Sequence, residues 1–344
     1  MAKFVLVCFL PVLLFWPAVS ISSDLRPGKG VVVQPARATW NTGYFQEVIV
    51  RMGLKELGYK VKEPIELQTP IFYQSLILGD VDYWPNGWFP MQNEHIPETG
   101  AEQVEPVGYI VKAGGLQGYL VSKKDVERYG IQSLADFKRE EVKKAFDDNG
   151  DGKADLVACP PGWGCEKAIQ HHFEVYDLEN HINPIKAGYS ASMAAAYGRY
   201  LAGQPVLFFT WAPNWTIFKF KPGKDVMWIN VPEIIPRSVE LEAAERMIGY
   251  DIKGAVSNPV KLGFVTADIR IVANRDFLSQ NPAAKKFFEV FSLPLADINQ
   301  QNFYMEQGEK SQEQINIHAR DWIARNRDRW NIWLKQARAA AVSN

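Results

Sequence analysis

Cysteine is scarce in this chain, three in 344 residues, and histidine is hardly more frequent at five. Clustered thiolates and imidazoles of the kind that hold zinc or iron–sulfur centres are therefore not on offer. A charge of one sign is lacking too. Lys and Arg number 38 against 39 Asp and Glu, a net −1, so there is no basic excess to collect along a phosphate backbone, and nucleic acid is excluded as an expected partner. Low-complexity tracts, short-period repeats and Ser/Gly linkers are missing, and beyond residue 20 no apolar run is long enough to span a bilayer. With 47% hydrophobic and 22% charged residues the body has the composition of an ordinary folded protein, long enough for about two domains. What the chain has in excess is tryptophan, 11 in all. That imbalance favours aromatic chemistry over metal chemistry.

The first twenty residues read as a secretory signal peptide. Met1 to Lys3 give a basic start, Phe4 to Val19 an apolar run broken by Pro11 and Pro17, and Ala18-Val19-Ser20 a small-residue cleavage pattern. Two prolines and a short run argue against a retained anchor. Cys8 lies inside the run without the flanking small residues of a lipid-attachment cysteine. Export leaves Cys159 and Cys165, an even pair six residues apart, which in an oxidising compartment reads as a disulfide clamping a tight loop. The competing reading makes Cys165 a nucleophile with His171 or His172 as its base, a secreted Cys/His hydrolase.

Strand and helix signals alternate. Val31-Val-Val-Gln-Pro35 reads as a strand, Thr39–Gly58 as a helix with apolar residues at near 3.6-residue spacing, Lys60–Glu66 as a strand, Ile71–Gly79 as a helix leading into Val81-Asp-Tyr-Trp84. Gly118–Ser122, Pro205–Thr210 and Asp225–Val231 read as further strands, and the segment from Asn281 onward as a helical layer with Trp322, Trp330 and Trp333 in its core. The alternation predicts an α/β fold with largely parallel sheets. Two β-rich segments, Gly108–Lys123 and Leu262–Asn274, flank a self-contained middle block, as though the chain leaves one lobe and returns to it. This pattern predicts a discontinuous first lobe, 24–117 with 262–344, a continuous second lobe, 118–261, and a ligand cleft between them.

Three tryptophan segments share a grammar: Asn86-Gly-Trp88-Phe-Pro-Met-Gln92, Pro161-Gly-Trp163-Gly-Cys165-Glu166 and Thr210-Trp211-Ala-Pro-Asn-Trp215. Each sets a ring at a Gly- or Pro-marked turn, and rings converging from such turns make a cage for a weakly hydrated cation, of which a quaternary ammonium is the usual case. The plainer alternative is that the rings are core. Glu166–Tyr176 reads as a helix, which puts Gly164 and Cys165 at its N-terminus, where free N–H groups and the helix dipole attract an anion. A cage beside such a terminus suits a zwitterion with a methylated ammonium and a carboxylate. Separately, Asp147, Asn149, Asp151 and Asp155 match the start of a calcium loop, but Ala158 stands where a bidentate Glu belongs, which favours a hydrogen-bonded Asx turn.

The chain resembles the periplasmic glycine betaine/proline betaine-binding proteins of osmoprotectant ABC importers, of the enterobacterial ProX type. The likeness covers nearly the whole chain after the signal peptide and is strongest in Asp147–Asp155, Pro161–Glu166, Phe209–Trp215, Lys221–Trp228 and Leu293–Asn302. It implies a type II periplasmic binding protein fold, a box of Trp88, Trp163 and Trp211 around the ammonium, and the N–H groups of Gly164 and Cys165 on the carboxylate. Where the family has a carboxylate-binding His four residues after the first box Trp, this sequence has Gln92, which donates a hydrogen bond but cannot become cationic. The resemblance further implies a monomeric periplasmic carrier without cofactor or catalysis, working with a membrane permease and its ATPase. A calcium-dependent adhesion protein is the remaining alternative.

Overall fold

The computed structural model describes residues 25–342; the signal-peptide reading and Cys8 lie outside them. The architecture is organised by one strand of 19 residues, Val104–Ser122. Its first part, Val104 to Gly115, pairs antiparallel with Ala267–Asn274, which in turn pairs with Tyr83–Phe89. From Leu116 the same strand changes partners, to Leu207–Ala212 on one side and Val226–Ile229 on the other, again antiparallel. Parallel pairing enters with Ala154–Val157, between Leu207–Ala212 and Ile182–Ile185. The seven-stranded sheet is thus mixed, not largely parallel as the alternation predicts. A strand long enough to serve both halves has to meet its neighbours by return connections, and these pair antiparallel.

Both predicted crossing segments are β-structure, Val104–Ser122 and Ala267–Asn274. Short parallel pairs, Val32–Val33 with Lys60–Val61 and Ala36–Ala38 with Ile65–Leu67, extend the first half, so the predicted strand Lys60–Glu66 is split in two. The predicted helix Thr39–Gly58 also starts later. A 3-10 turn at Asn41–Gly43 leads into the α-helix Tyr44–Glu56, and Thr39 and Trp40 stay outside it, Trp40 in extended backbone.

The C-terminal helices Pro282–Val290, Gln312–Arg325 and Arg327–Ala340 pack on Tyr44–Glu56 and on one another. Gly53 sits at the closest approach, where a Cβ would come within 2.1 Å of the Phe287 ring. Trp322, Trp330 and Trp333 are buried there as the sequence predicts, Trp322 stacked on Trp333 at 6.3 Å. Among the described residues no helix is long and apolar enough to cross a membrane.

Candidate functional site

A small cavity lies where the long strand changes partners. Its walls are the rings of Trp40, Trp88, Trp163 and Trp211 with Phe209 and Met91. Gln92, Gln117, Gly164 and Cys165 supply its polar lining. None of these residues carries a side chain that titrates, since Cys165 is bonded to Cys159.

All three sequence-predicted rings meet here, but by different local means than their common grammar suggests. Trp163 is the N-cap of the helix Gly164–Val175, in extended backbone after a turn. Trp88 and Trp211 stand instead within strands, Tyr83–Phe89 and Leu207–Ala212, the first entirely buried. Gly87 is there for close approach and not for a turn: a Cβ on it would fall 2.5 Å from Val272 on the neighbouring strand. Gly115 serves Trp88 similarly, since a Cβ would lie 2.5 Å from the indole.

The rings are held edge to face. Trp163 meets Trp211 at 5.6 Å and 76°, and Trp40 at 5.2 Å and 69°. Tyr189 backs both Trp163 and Trp211, at 5.8 and 4.8 Å. Hydrogen bonds fix the ring planes. Asn86 Oδ1 accepts from the indole N–H of Trp40 at 2.7 Å and of Trp88 at 2.9 Å. Trp163 donates to Thr39 Oγ1 at 2.9 Å across 124 residues of sequence. The rings line the enclosed space, and an indole face carries the negative π charge that attracts a cation.

The polar end is a helix terminus. Glu166 closes the first turn, its N–H bonded to Trp163 C=O at 3.1 Å and its carboxylate accepting from Gly162 N–H at 2.9 Å. The amides of Gly164 and Cys165, next to the cavity, have no acceptor among the described residues, the arrangement that favours an anion. Met91 lies against Gly164, where a Cβ would come within 3.0 Å of its side chain. Gln92, 1% exposed, accepts from Tyr73 O–H at 3.1 Å through Oε1, which assigns its NH2 to other partners.

The far end of this helix is pinned by His172. Its Nδ1 faces Tyr119 O–H and its Nε2 faces Gly263 C=O, each at 2.9 Å, and burial lowers its pKa to about 3. His171 Nε2 is taken by Ile235 C=O at 2.9 Å. Neither imidazole faces a thiol, and the Cys165 sulfur is tied into the predicted disulfide, with the two Cα atoms 6.0 Å apart. The geometry of a Cys/His nucleophile is absent from this helix. His95, three residues after Gln92, is 8% exposed and held neutral: burial first, then Lys167 and Arg237, lower its pKa to about 4.

The acidic loop is built differently. Asp147 accepts backbone N–H groups of Gly150, Asp151 and Gly152, and Asp151 that of Lys153. Asp155 accepts from Asp148 N–H and from the amides of Asn149 and Asn183. These carboxylates turn the chain.

Sequence reasoning missed Trp40, Met91, Gln117 and Phe209 on the walls and Asn86 behind them. Trp40 was findable, since Thr39-Trp-Asn-Thr-Gly43 also sets a Trp near a Gly. Gln117 carries no local signal.

The family described as the substrate-binding domain of ABC-type glycine betaine transport systems matches residues 31–325. The glycine betaine-binding periplasmic protein OusX of Dickeya dadantii is 39% identical over 93% of this chain and 94% of its own length. The glycine betaine/proline betaine-binding periplasmic protein of Escherichia coli is 37% identical over 93% and 94%. Among solved structures, lactococcal OpuAC, closed on glycine betaine, superposes with a TM-score of 0.66 at 16% identity over 88% of this chain and 99% of that one. A choline-binding ABC-transporter protein holding choline gives 0.68 at 18% over 91% and 97%. The fold is thus the type II periplasmic binding protein fold, two lobes about a central cleft. This chain belongs to the family of substrate-binding domains of ABC-type glycine betaine transport systems.

Proposed function

We propose that this protein captures glycine betaine, proline betaine or a similar methylated ammonium zwitterion and delivers it, unchanged, to a membrane permease driven by an ATPase. Trp88, Trp163 and Trp211 surround the ammonium; Gly164 N–H, Cys165 N–H and the Gln92 amide hold the carboxylate. The observation that carries this reading is a small cavity with perpendicular indoles beside a helix terminus whose first two amides have no acceptor among the described residues. Three cation–π faces at about 0.5–2 kcal/mol each and two or three charge-assisted hydrogen bonds at about 1.5–3 each together bracket the about 8.2 kcal/mol of micromolar binding. Neither end reaches that alone once immobilisation and closure are subtracted.

The lobes are 24–117 with 262–344 and 118–261, and they close on the ligand. In support, contacts that span this division include Trp163 to Thr39, His172 to Gly263, and the ion pairs Glu94–Arg237 at 2.8 Å, Arg246–Asp268 at 3.3 Å and Lys219–Glu306 at 3.7 Å. The protein is exported through cleavage after Ser20, acts as a monomer in the periplasm, and performs no catalysis. Calorimetric titration of the chain lacking residues 1–20 with glycine betaine at neutral pH tests the reading. One ligand per chain at micromolar affinity is the expected result; a folded sample that takes up no betaine overturns it.

A further inference from the structure

Gln117 is 3% exposed, lines the cavity, and its amide makes no hydrogen bond to any described protein group. An amide that faces the cavity with no protein partner is free to hydrogen-bond whatever occupies it, and a ligand that supplies that bond gains over one that does not. Gln92 is the instructive neighbour: Tyr73 anchors its Oε1 and so fixes it as a donor. Nothing fixes Gln117, so either its oxygen or its NH2 can face the ligand.

Its place in the sheet says which end of the ligand it meets. Gln117 is the register partner of Trp211 on the adjacent antiparallel strand, a spacing that puts their Cβ atoms about 4.5–5.5 Å apart. Gly115, two residues earlier on the same face, lies under the Trp88 ring. The amide therefore stands between two walls of the cage, at the cation end. A fully methylated nitrogen has no proton for it to accept. A tertiary or secondary ammonium does, and indole faces are poor acceptors of that proton.

We propose that Gln117 is a specificity-determining residue whose amide oxygen accepts the ammonium N–H of incompletely methylated zwitterions, so that the site takes N–H-bearing amino acids of this class alongside true betaines. The proposal rests on the cage reading above. It is tested by calorimetric titration of the wild-type chain, Gln117→Leu and Gln117→Met with two probes, glycine betaine and N,N-dimethylglycine. The expected result is saturable binding of both by the wild type, with the variants losing about tenfold or more in affinity for dimethylglycine and less than about threefold for glycine betaine. Equal losses for both probes overturn the proposal by reducing Gln117 to a packing role. A wild type that binds betaine but not dimethylglycine also overturns it, while leaving the cage reading intact; a folded wild type that binds neither overturns both.

Discussion

Two segments of this chain advertise ligand chemistry, the acidic loop Asp147–Asp155 and the Trp163-Gly-Cys165 turn, and they spend their polar groups in opposite ways. In the loop the carboxylates of Asp147, Asp151 and Asp155 all accept backbone or amide N–H groups of the protein itself. At the turn the donors of Gly164 and Cys165 have no acceptor among the described residues and lie next to a cavity. Among the described residues the Trp211 indole N–H and the Gln117 amide likewise have no partner. Residue type proposes a site, but what remains unsatisfied after folding decides it.

The contrast breaks most directly at Trp163. Its replacement by Ala removes a cage wall and the bond to Thr39 together, and we expect about a hundredfold or greater loss of betaine affinity by calorimetry with the circular dichroism spectrum unchanged. Unaltered affinity in that variant would remove Trp163 from the site. In the loop, Asp147→Ala should do the reverse. The N–H groups of Gly150 and Gly152 lose their acceptor and that of Asp151 keeps only Asn149 Oδ1, so the thermal midpoint should fall by several degrees, while betaine affinity stays within about twofold and calcium or chelator has no effect on either.

A third expectation concerns acid. His172 and His95 have folded pKa values of about 3 and about 4, below the ordinary 6.5, so the unfolded chain binds more protons in that interval. Their contribution to stability is complete above pH 6.5, falls progressively below it, and is fully lost once the pH reaches about 4 for His95 and about 3 for His172. Melting curves from pH 7 to 4 should show that decline, and His172→Gln should flatten it; a midpoint independent of pH would contradict the assignment. The smallest effect is expected at Gln92. Because no lining side chain titrates, wild-type betaine affinity should be flat between pH 5.5 and 8, whereas Gln92→His should tighten binding about two- to fivefold on the acid side.

How far the site was legible can be read from individual residues. Trp88, Trp163 and Trp211 stood out because tryptophan is rare and here recurs beside Gly and Pro, yet the reason offered, a turn at each, holds only for Trp163. Glycines 87 and 115 are small for the sake of neighbours on other strands, which adjacent sequence cannot reveal. Asn86 was invisible as a clamp because its second indole, Trp40, comes from 46 residues earlier. The parallel-sheet expectation failed for a related reason: the alternation of strand and helix was read locally, while the direction of pairing is imposed by one strand, Val104–Ser122, that serves both halves.

Composition and local pattern alone determined that the chain is an α/β protein of about two domains, that its paired cysteines form a disulfide candidate, and that a helix begins at the Trp-Gly-Cys turn, because each of these depends on neighbours along the chain. Only the tertiary structure decided which rings face one cavity, which amides are left without partners beside it, and which carboxylates are already spent. Those outcomes depend on distances between residues far apart in sequence, and burial gives them weight: a polar group without a partner inside the protein is costly, and beside the cavity a ligand can supply one.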